Sequence, residues 1–394
     1  MKIRIFDDEE RQRIKFVDDI KSARLPTDEF DINVLAWNDF EEALNGMRRR
    51  QSDCRAKGSW KQDGANPLDD VAVLVVDFEL FETEKVMNAD VVAYLARCFT
   101  TCGIVMVVNR LAHNPFDLTL KDHPGSFSDL EIGQEQLGSR VLWGTGQEEF
   151  APWYWPILPK LVEDFQKRIQ DVEDALREGK SLREMLEFPE ESWKWLPRNV
   201  LQFLGKDDLL ENFLTTSPYG LYLKDRVALG SKQKIDPSSV LRVLAARISK
   251  WLEYLVLPEQ DILMDTPHLI SRFPSLLKGD RKNVETWNAT AVRHTDQVPE
   301  IDMIVLEPFR LKKSHWLSRP VWFWRDVMNC DEIADVREPW NIESPPWVFC
   351  EDTSSFRLEE ECRTFKAETV SPFASRYVKK LDGVDYSPVQ RFAL

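Results

Sequence analysis

The sequence predicts an α/β fold in which the N-terminal part is a doubly wound, parallel, five-stranded sheet. Short apolar runs alternate with amphipathic stretches five times in the first 135 residues, which is the pattern of strands and helices in a parallel sheet. The strongest run, Val71–Val76, is rich in β-branched residues, as expected for a strand that is buried on both faces. Each run that we interpret as a strand is followed by a polar residue.

The elements of this first domain follow from the same pattern. Strands are predicted at Ile3–Phe6, Ile32–Trp37, Val71–Val76, Ile104–Val108 and Phe116–Leu120. Apolar residues three or four positions apart predict helices after the first three strands. We interpret the polar stretch Arg48–Pro67 as an exposed insertion, and Ser126–Leu130 as the start of a helix with a hydroxyl cap.

Polar residues at the carboxyl ends of these strands form the candidate site. They are Asp7, Asp8, Asp77, Asn109 and Lys121. Open parallel sheets bind their ligands outside the carboxyl ends of the strands, so we expect these side chains to converge. Carboxylates that are held close together favour a cation between them, and Mg²⁺ is a hard cation that prefers oxygen ligands. A lysine beside such a cluster is suited to bind a phosphoryl group.

This constellation resembles the receiver domain of two-component response regulators, which has a flavodoxin-like sheet. The resemblance covers the first third of the chain. It implies that Asp7 and Asp8 bind Mg²⁺ together with Asp77, and that Asp77 accepts a phosphoryl group. It also implies that Asn109 and Lys121 contact the phosphate, and that a kinase of a phosphorelay is a partner.

Three positions depart from the usual pattern of that family. Asn109 stands where the family usually has Thr or Ser, and an amide can donate to a phosphoryl oxygen but lacks the rotating hydroxyl. Leu118 replaces the usual Tyr or Phe, and Asp122 replaces the usual Pro. Two alternatives therefore stay open: an atypical receiver that is phosphorylated, and a receiver fold that serves only as a docking surface.

The pattern changes twice after residue 135. An aromatic segment, Pro152–Pro156, leads into a stretch of helical periodicity that begins at Ile157. We therefore predict a helical domain with an aromatic connector over residues 136–282. Prolines separate short β-prone runs from Asn283 onward, so residues 283–394 are predicted to form an α+β region. These runs are Met303–Leu306, Val321–Trp324, Trp347–Cys350 and Arg376–Val378.

Composition restricts the partners and the location. The formal net charge is -15, whereas a nucleic-acid-binding protein needs clustered Lys and Arg. Neither nucleic acid nor an anionic membrane is therefore expected as a partner. No apolar run approaches the roughly 20 residues that span a bilayer, and the six cysteines contain no CxxC pair. We expect a cytoplasmic protein with reduced thiols.

These observations predict a regulatory or adaptor protein of a bacterial signalling or defence system. It would act through protein–protein contacts, and homo-oligomerisation is compatible with that role. The alternative is a metal-dependent, nuclease-like effector enzyme with its site in the C-terminal region. Asp302, Glu307 and Lys312 have the residue types of such a site, but Pro308 interrupts the strand on which they would alternate. A third alternative is a structural role with a vestigial site.

Overall fold

The N-terminal part of the chain is built around one parallel sheet. A computed structural model describes residues 1–25, 29–57, 66–80, 87–109, 127–146, 148–153, 155, 157–197, 237–291, 298, 301, 303–329, 346–364, 374, 376–382 and 384. The first strands in chain order are β1 (Lys2–Phe6), β2 (Asp31–Val34), β3 (Val73–Asp77), β4 (Glu79–Leu80), β5 (Met87–Asn88), β6 (Ile104–Asn109) and β7 (Leu130–Gly133). β4 and β5 pair only with each other, and the other five form one sheet in the order β2-β1-β3-β6-β7.

All neighbouring strands of this five-stranded sheet are parallel. Counted within the sheet, the strands follow the order 2-1-3-4-5, which is the flavodoxin-like order. The predicted α/β fold class with a parallel, doubly wound sheet is therefore confirmed.

Helices cover both faces of the sheet. They are α1 (Glu10–Ser22), α2 (Trp37–Lys57) and α3 (Ala89–Phe99). Alternate residues of β3 contribute to two separate cores: Val73 and Val75 pack in the same core as α1, whereas Leu74 and Val76 pack in the same core as α2 and α3. A strand that is buried on both faces explains why the sequence around β3 is continuously apolar.

The fifth strand of the sheet lies later in the chain than predicted. It is β7, which pairs with β6 so that Leu130 faces Met106 and Gly133 faces Asn109. The interpretation of Ser126–Leu130 as a helix start is wrong, because Leu130 and Ile132 are buried as alternate residues of an extended strand. The predicted strand at 116–120 lies outside the described residues.

The helix α2 extends through the first half of the stretch that we predicted to be an exposed insertion. It continues to Lys57, and its second half buries Arg50 and Cys54. The guanidinium of Arg50 donates to both carboxylate oxygens of Asp69, at 2.9 and 2.6 Å. The sequence looks polar because part of the buried face of this helix is an ion pair.

The next part of the described chain is mainly helical. Its elements are α4 (Arg140–Trp143), α5 (Leu158–Glu178), α6 (Leu182–Met185), α7 (Glu190–Lys194), α8 (Pro237–Trp251) and α9 (Leu257–Glu259), with Leu252–Val256 as a π-helical segment after α8. Apolar residues of α5 and α8 belong to the same core as α1 and one face of the sheet. The helical periodicity predicted from Ile157 onward corresponds to α5 and is confirmed.

The last part combines short helices and strands. The helices are α10 (Thr266–Arg272), α11 (Val284–Asn288), α12 (Met303–Leu306) and α13 (Trp324–Met328). The strands are β8 (Leu263–Asp265), β9 (Val321–Phe323), β10 (Trp347–Cys350), β11 (Ser355–Leu358), β12 (Arg363–Thr364) and β13 (Tyr377–Val378). β8 pairs with β9, and the others form a sheet in the order β11-β10-β13-β12. Three predicted β runs are confirmed as β9, β10 and β13.

The fourth predicted β run is wrong, because Met303–Leu306 forms the helix α12. Only Leu306 is buried in this segment, whereas Ile304 is 87% exposed, and one buried residue in four suits a helical turn better than a paired strand. In the described part of the chain, no helix has both the length and the apolar character that crossing a membrane requires.

Candidate metal centre

The register of the parallel sheet brings three aspartates to one edge. Phe6 of β1 pairs with Val76 of β3. The residues that follow them in the chain, Asp7 and Asp77, therefore lie at the same level of the sheet. β1 and β3 are the two strands on either side of the point where the strand order reverses. This is the place where open parallel sheets leave a crevice for a ligand.

The three carboxylates are close together and buried. Oxygens of Asp7, Asp8 and Asp77 all lie within 4.8 Å of one another, and the three residues are 0%, 6% and 1% exposed. Ionised carboxylates this close repel each other, and burial increases the cost. A cation among them removes that cost, and carboxylate oxygens are the donors that Mg²⁺ prefers. The donor set therefore fits a small, hard divalent cation.

Backbone groups orient two of the three aspartates. The N–H of Glu9 donates to Oδ1 of Asp7 at 2.7 Å, and the N–H of Glu79 donates to Oδ2 of Asp77 at 3.3 Å. In both cases the donor is two residues after the aspartate, which is the geometry by which Asp turns the chain at the end of a strand. The guanidinium of Arg13 also donates to the carbonyl oxygen of Asp7, at 2.8 Å.

Aromatic packing below the site fixes the end of β1. The ring of Phe6 stacks on Phe40 of α2, with an angle of 9° between the planes, and contacts Trp37 with the centroids 6.0 Å apart. Phe6 is fully buried. Because Asp7 is the next residue, this packing limits the movement of its backbone toward or away from β3.

Of the two residues predicted to contact the phosphate, the structure describes Asn109 but not Lys121. Asn109 is the last residue of β6, one position beyond Val108, which pairs with Asp77. Asn109 therefore lies at the same edge of the sheet as Asp77. Lys121 lies outside the described residues. The strand that closes the sheet ends at Gly133, so Lys121 does not follow the fifth strand as the sequence analysis expected.

A second buried polar cluster, which the sequence analysis missed, lies in the C-terminal part. His268 contacts Oδ1 of Asp265 through Nδ1, and its Nε2 lies 3.3 Å from Oε1 of Glu351. Arg319 donates to Asp265 at 3.1 Å, and Arg376 donates to Glu351 at 2.6 Å. Glu351 is fully buried, although an acidic residue in a sequence is usually expected to be solvent-exposed. Its partner Arg376 is 25 residues later, and no local pattern indicates that contact.

The pKa shifts of the residues in this cluster show that they interact as ion pairs. Burial disfavours the charged form of His268, but Asp265 and Glu351 outweigh it and raise its pKa to about 9. Burial raises the pKa of Glu351, yet Arg376 and His268 lower it to about 2. The cavity that these residues line measures about 20 Å³, which is room for one water rather than a substrate. The cluster joins distant chain segments through buried ion pairs.

The residues of the nuclease-like alternative are not gathered into a site in the described part of the chain. Asp302 lies outside the described residues, and Lys312 is exposed. Glu307 is exposed and lies 3.7 Å from Arg310. Among the described residues, Asp7, Asp8 and Asp77 are the only group of three or more His, Cys, Asp or Glu side chains close enough to share one ion.

The strand order and the aspartate cluster are therefore the observations from which a function can be argued. Comparisons with protein-family models, with curated proteins and with solved structures found no match to this chain.

Proposed function

We propose that residues 1–135 form a receiver-like regulatory module that binds Mg²⁺ between Asp7, Asp8 and Asp77. One observation carries the proposal: three buried carboxylates from two adjacent strands lie within 4.8 Å of one another at the edge where a parallel sheet binds ligands. A surface cluster of acidic residues would not have this burial or this place in the fold.

Asp77 is the candidate phosphoryl acceptor of the module. In this role, one carboxylate oxygen of Asp77 attacks the phosphorus of a phosphohistidine or of a small acyl phosphate. The new O–P bond forms as the bond from phosphorus to the donor breaks, and the leaving group departs with the electron pair. Mg²⁺ held by Asp7, Asp8 and Asp77 would supply positive charge that offsets the charge of the phosphoryl oxygens.

Two further residues would assist at the phosphoryl group. Asn109 is placed on the neighbouring strand, where its amide N–H can donate to a phosphoryl oxygen. The contact of Lys121 with the phosphate stays a prediction from the sequence. We propose that the regions after residue 135 contact protein partners, namely a kinase and components of a bacterial signalling or defence system.

Magnesium binding is tested by thermal unfolding of the full-length protein with increasing MgCl₂. A ligand that binds only the folded state raises the melting temperature by mass action. We expect this rise in the wild type and its loss in Asp7→Asn and Asp77→Asn. The matched control is Asp18→Asn, which removes the same charge from an exposed position of α1 and should respond like the wild type. A wild type that does not respond to Mg²⁺ would overturn the metal site.

Phosphorylation is tested separately with acetyl phosphate and Mg²⁺. We expect the wild type to gain one phosphoryl group, detected by intact mass, and to release it in hydroxylamine as acyl phosphates do. Asp77→Asn should not be modified, whereas Asp18→Asn should be. Beryllofluoride, which mimics a bound phosphoryl group, is a second probe. If the wild type binds Mg²⁺ but neither gains a phosphoryl group nor binds beryllofluoride, the module serves as a docking domain.

A further inference from the structure

Two thiols lie in contact in the four-stranded C-terminal sheet. The Sγ atoms of Cys350 and Cys362 are 3.0 Å apart. Cys350 is the last residue of β10, and Cys362 immediately precedes β12. The strand between them in the sheet is β13, since Tyr377 pairs with Cys350 on one side and with Thr364 on the other.

We propose that Cys350 and Cys362 form a disulfide bond by exchange with a low-molecular-weight disulfide such as oxidised glutathione. A disulfide joins sulfurs that are about 2.05 Å apart, so the two thiols need to approach by only about 1 Å. Both are thiols in the structure.

The difference in exposure between the two thiols sets the order of the exchange. Cys362 is partly exposed, whereas Cys350 is fully buried. The Cys362 thiol loses its proton to solvent, and its thiolate bonds to one sulfur of the small disulfide while the other sulfur leaves as a thiolate. The Cys350 thiol then loses its proton, and its thiolate attacks Sγ of Cys362 and displaces the second small thiolate. The protein pair loses two electrons, and the small disulfide gains them.

Other described cysteines are less suited to this reaction. Cys98 and Cys102 are buried in the core between α3 and the sheet, where a small disulfide cannot reach them. Burial raises the pKa of both thiols, as it also does for Cys350, so the accessible thiol of Cys362 starts the exchange. The attacking species is a thiolate that a small disulfide can reach. Burial also raises the pKa of Cys362 above its ordinary value, so the exchange should be faster in mildly alkaline than in neutral solution.

The bond would fasten β13 inside the sheet. It links the end of β10 to the residue before β12, and these are the two strands that flank β13 in the sheet. In addition, Arg376, which directly precedes β13, pairs with Glu351, which directly follows Cys350. The bond also closes a short loop, which restricts the unfolded chain. Oxidation should therefore stabilise the C-terminal sheet and its contact with the buried cluster around His268.

The test treats full-length protein with oxidised glutathione, blocks free thiols with N-ethylmaleimide, and maps peptides without reduction. We expect a linked pair of peptides containing Cys350 and Cys362, with the loss of two hydrogens in mass, and no maleimide on either residue. The melting temperature should rise on oxidation and return after reduction with dithiothreitol. Cys362→Ser should show neither the link nor the rise.

A second variant tests the order of the two steps. Cys350→Ala removes the resolving thiol, so Cys362 should accumulate glutathione as a stable mixed disulfide. If this variant does not fold, the peptide map of the wild type and the response of Cys362→Ser still decide. The proposal is overturned if the treated wild type carries maleimide on both cysteines, or if it retains glutathione on Cys362 without forming the link.

Discussion

At the scale of single residues, the aspartate cluster combines close approach with burial. Two backbone N–H groups contact Asp7 and Asp77, and the three carboxylates lie within 4.8 Å of one another, a distance at which ionised carboxylates repel each other. The charges of Asp7, Asp8 and Asp77 should therefore oppose folding when no cation is present and favour it when one is bound. The site can therefore be tested through its effect on the free energy of unfolding, without knowing which protein the module binds.

Asp8→Asn should make the protein more stable when divalent cations are removed. Taking one of three repelling charges out of the cluster should raise the free energy of unfolding by about 1 kcal/mol. Urea denaturation in EDTA measures this change. In Mg²⁺ the order should reverse, because the wild type gains stability from the cation and the variant gains less. Asp18→Asn is the control and should leave both values unchanged; a less stable Asp8→Asn in EDTA would contradict the prediction.

The buried histidine predicts a loss of stability in alkali. The pKa of His268 in the folded protein is raised to about 9 from 6.5, so its contribution is fully present below pH 6.5 and is lost as the pH rises through about 9. His268→Gln should abolish this alkaline loss and destabilise the protein at neutral pH by about 3 kcal/mol, as for a broken buried ion pair. Urea denaturation across pH measures both effects. The control is His315→Gln, whose imidazole lies 2.6 Å from Asp171 and not in the His268 cluster; this variant should retain the alkaline loss.

At the scale of elements, the second half of α2 is fastened to the sheet through one arginine. Arg50 binds both carboxylate oxygens of Asp69 and also donates to the carbonyl of Phe99 at 2.9 Å. Burial raises the pKa of Asp69, but Arg50 and the backbone N–H groups of Asn66 and Thr101 together lower it below its ordinary value. One planar guanidinium thus joins α2, the loop before β3 and the end of α3.

Arg50→Lys should weaken this junction although it keeps the charge. A lysine cannot make the paired contacts of a guanidinium, so we expect a loss of about 2 kcal/mol, the cost of leaving buried polar groups without a partner. The control is Arg49→Lys, the same change at the exposed neighbouring position, which should alter the free energy of unfolding by less than about 0.5 kcal/mol. Equal effects in urea denaturation would show that the junction does not depend on the guanidinium.

At the scale of the whole molecule, the sequence predicted the centre of the sheet better than its edge. β3 and β6 were located because continuous apolar runs end at polar residues, and β1 because its apolar residues Ile3, Ile5 and Phe6 stop at Asp7. The convergence of Asp7, Asp8 and Asp77 followed from parallel topology. β7 was missed because four residues with two buried apolar side chains resemble the start of a helix. Short edge strands carry little local signal, and their pairing depends on the rest of the sheet.

Buried charged residues were the second source of error, because their ion-pair partners lie far away in the sequence. Arg50 and Glu351 read as exposed positions because charged residues are rarely buried unless they are paired. Their partners lie far away in sequence, as Asp69 and Arg376 do. A local pattern can show that a charge is present, but only the folded chain shows which opposite charge it meets.

The shared core makes a prediction about where the first folding unit ends. The face of the sheet that packs on α1 is also covered by α5, whose Phe165 and Val172 are buried there. A fragment of residues 1–135 would expose that apolar surface, whereas a fragment of residues 1–179 keeps α5 and ends at Gly179, a glycine in the left-handed conformation that closes the helix. We therefore expect the longer fragment to be the more stable.

Urea denaturation followed by circular dichroism compares the two fragments with the full-length protein. The 1–179 fragment should unfold in one cooperative transition and respond to Mg²⁺, because it contains the aspartate cluster and more of its supporting core. The 1–135 fragment should unfold at lower urea or aggregate, since exposed apolar surface favours association. If the shorter fragment is equally stable and equally responsive, the core of the sheet does not need α5, and the division at residue 135 predicted from the sequence is the correct one.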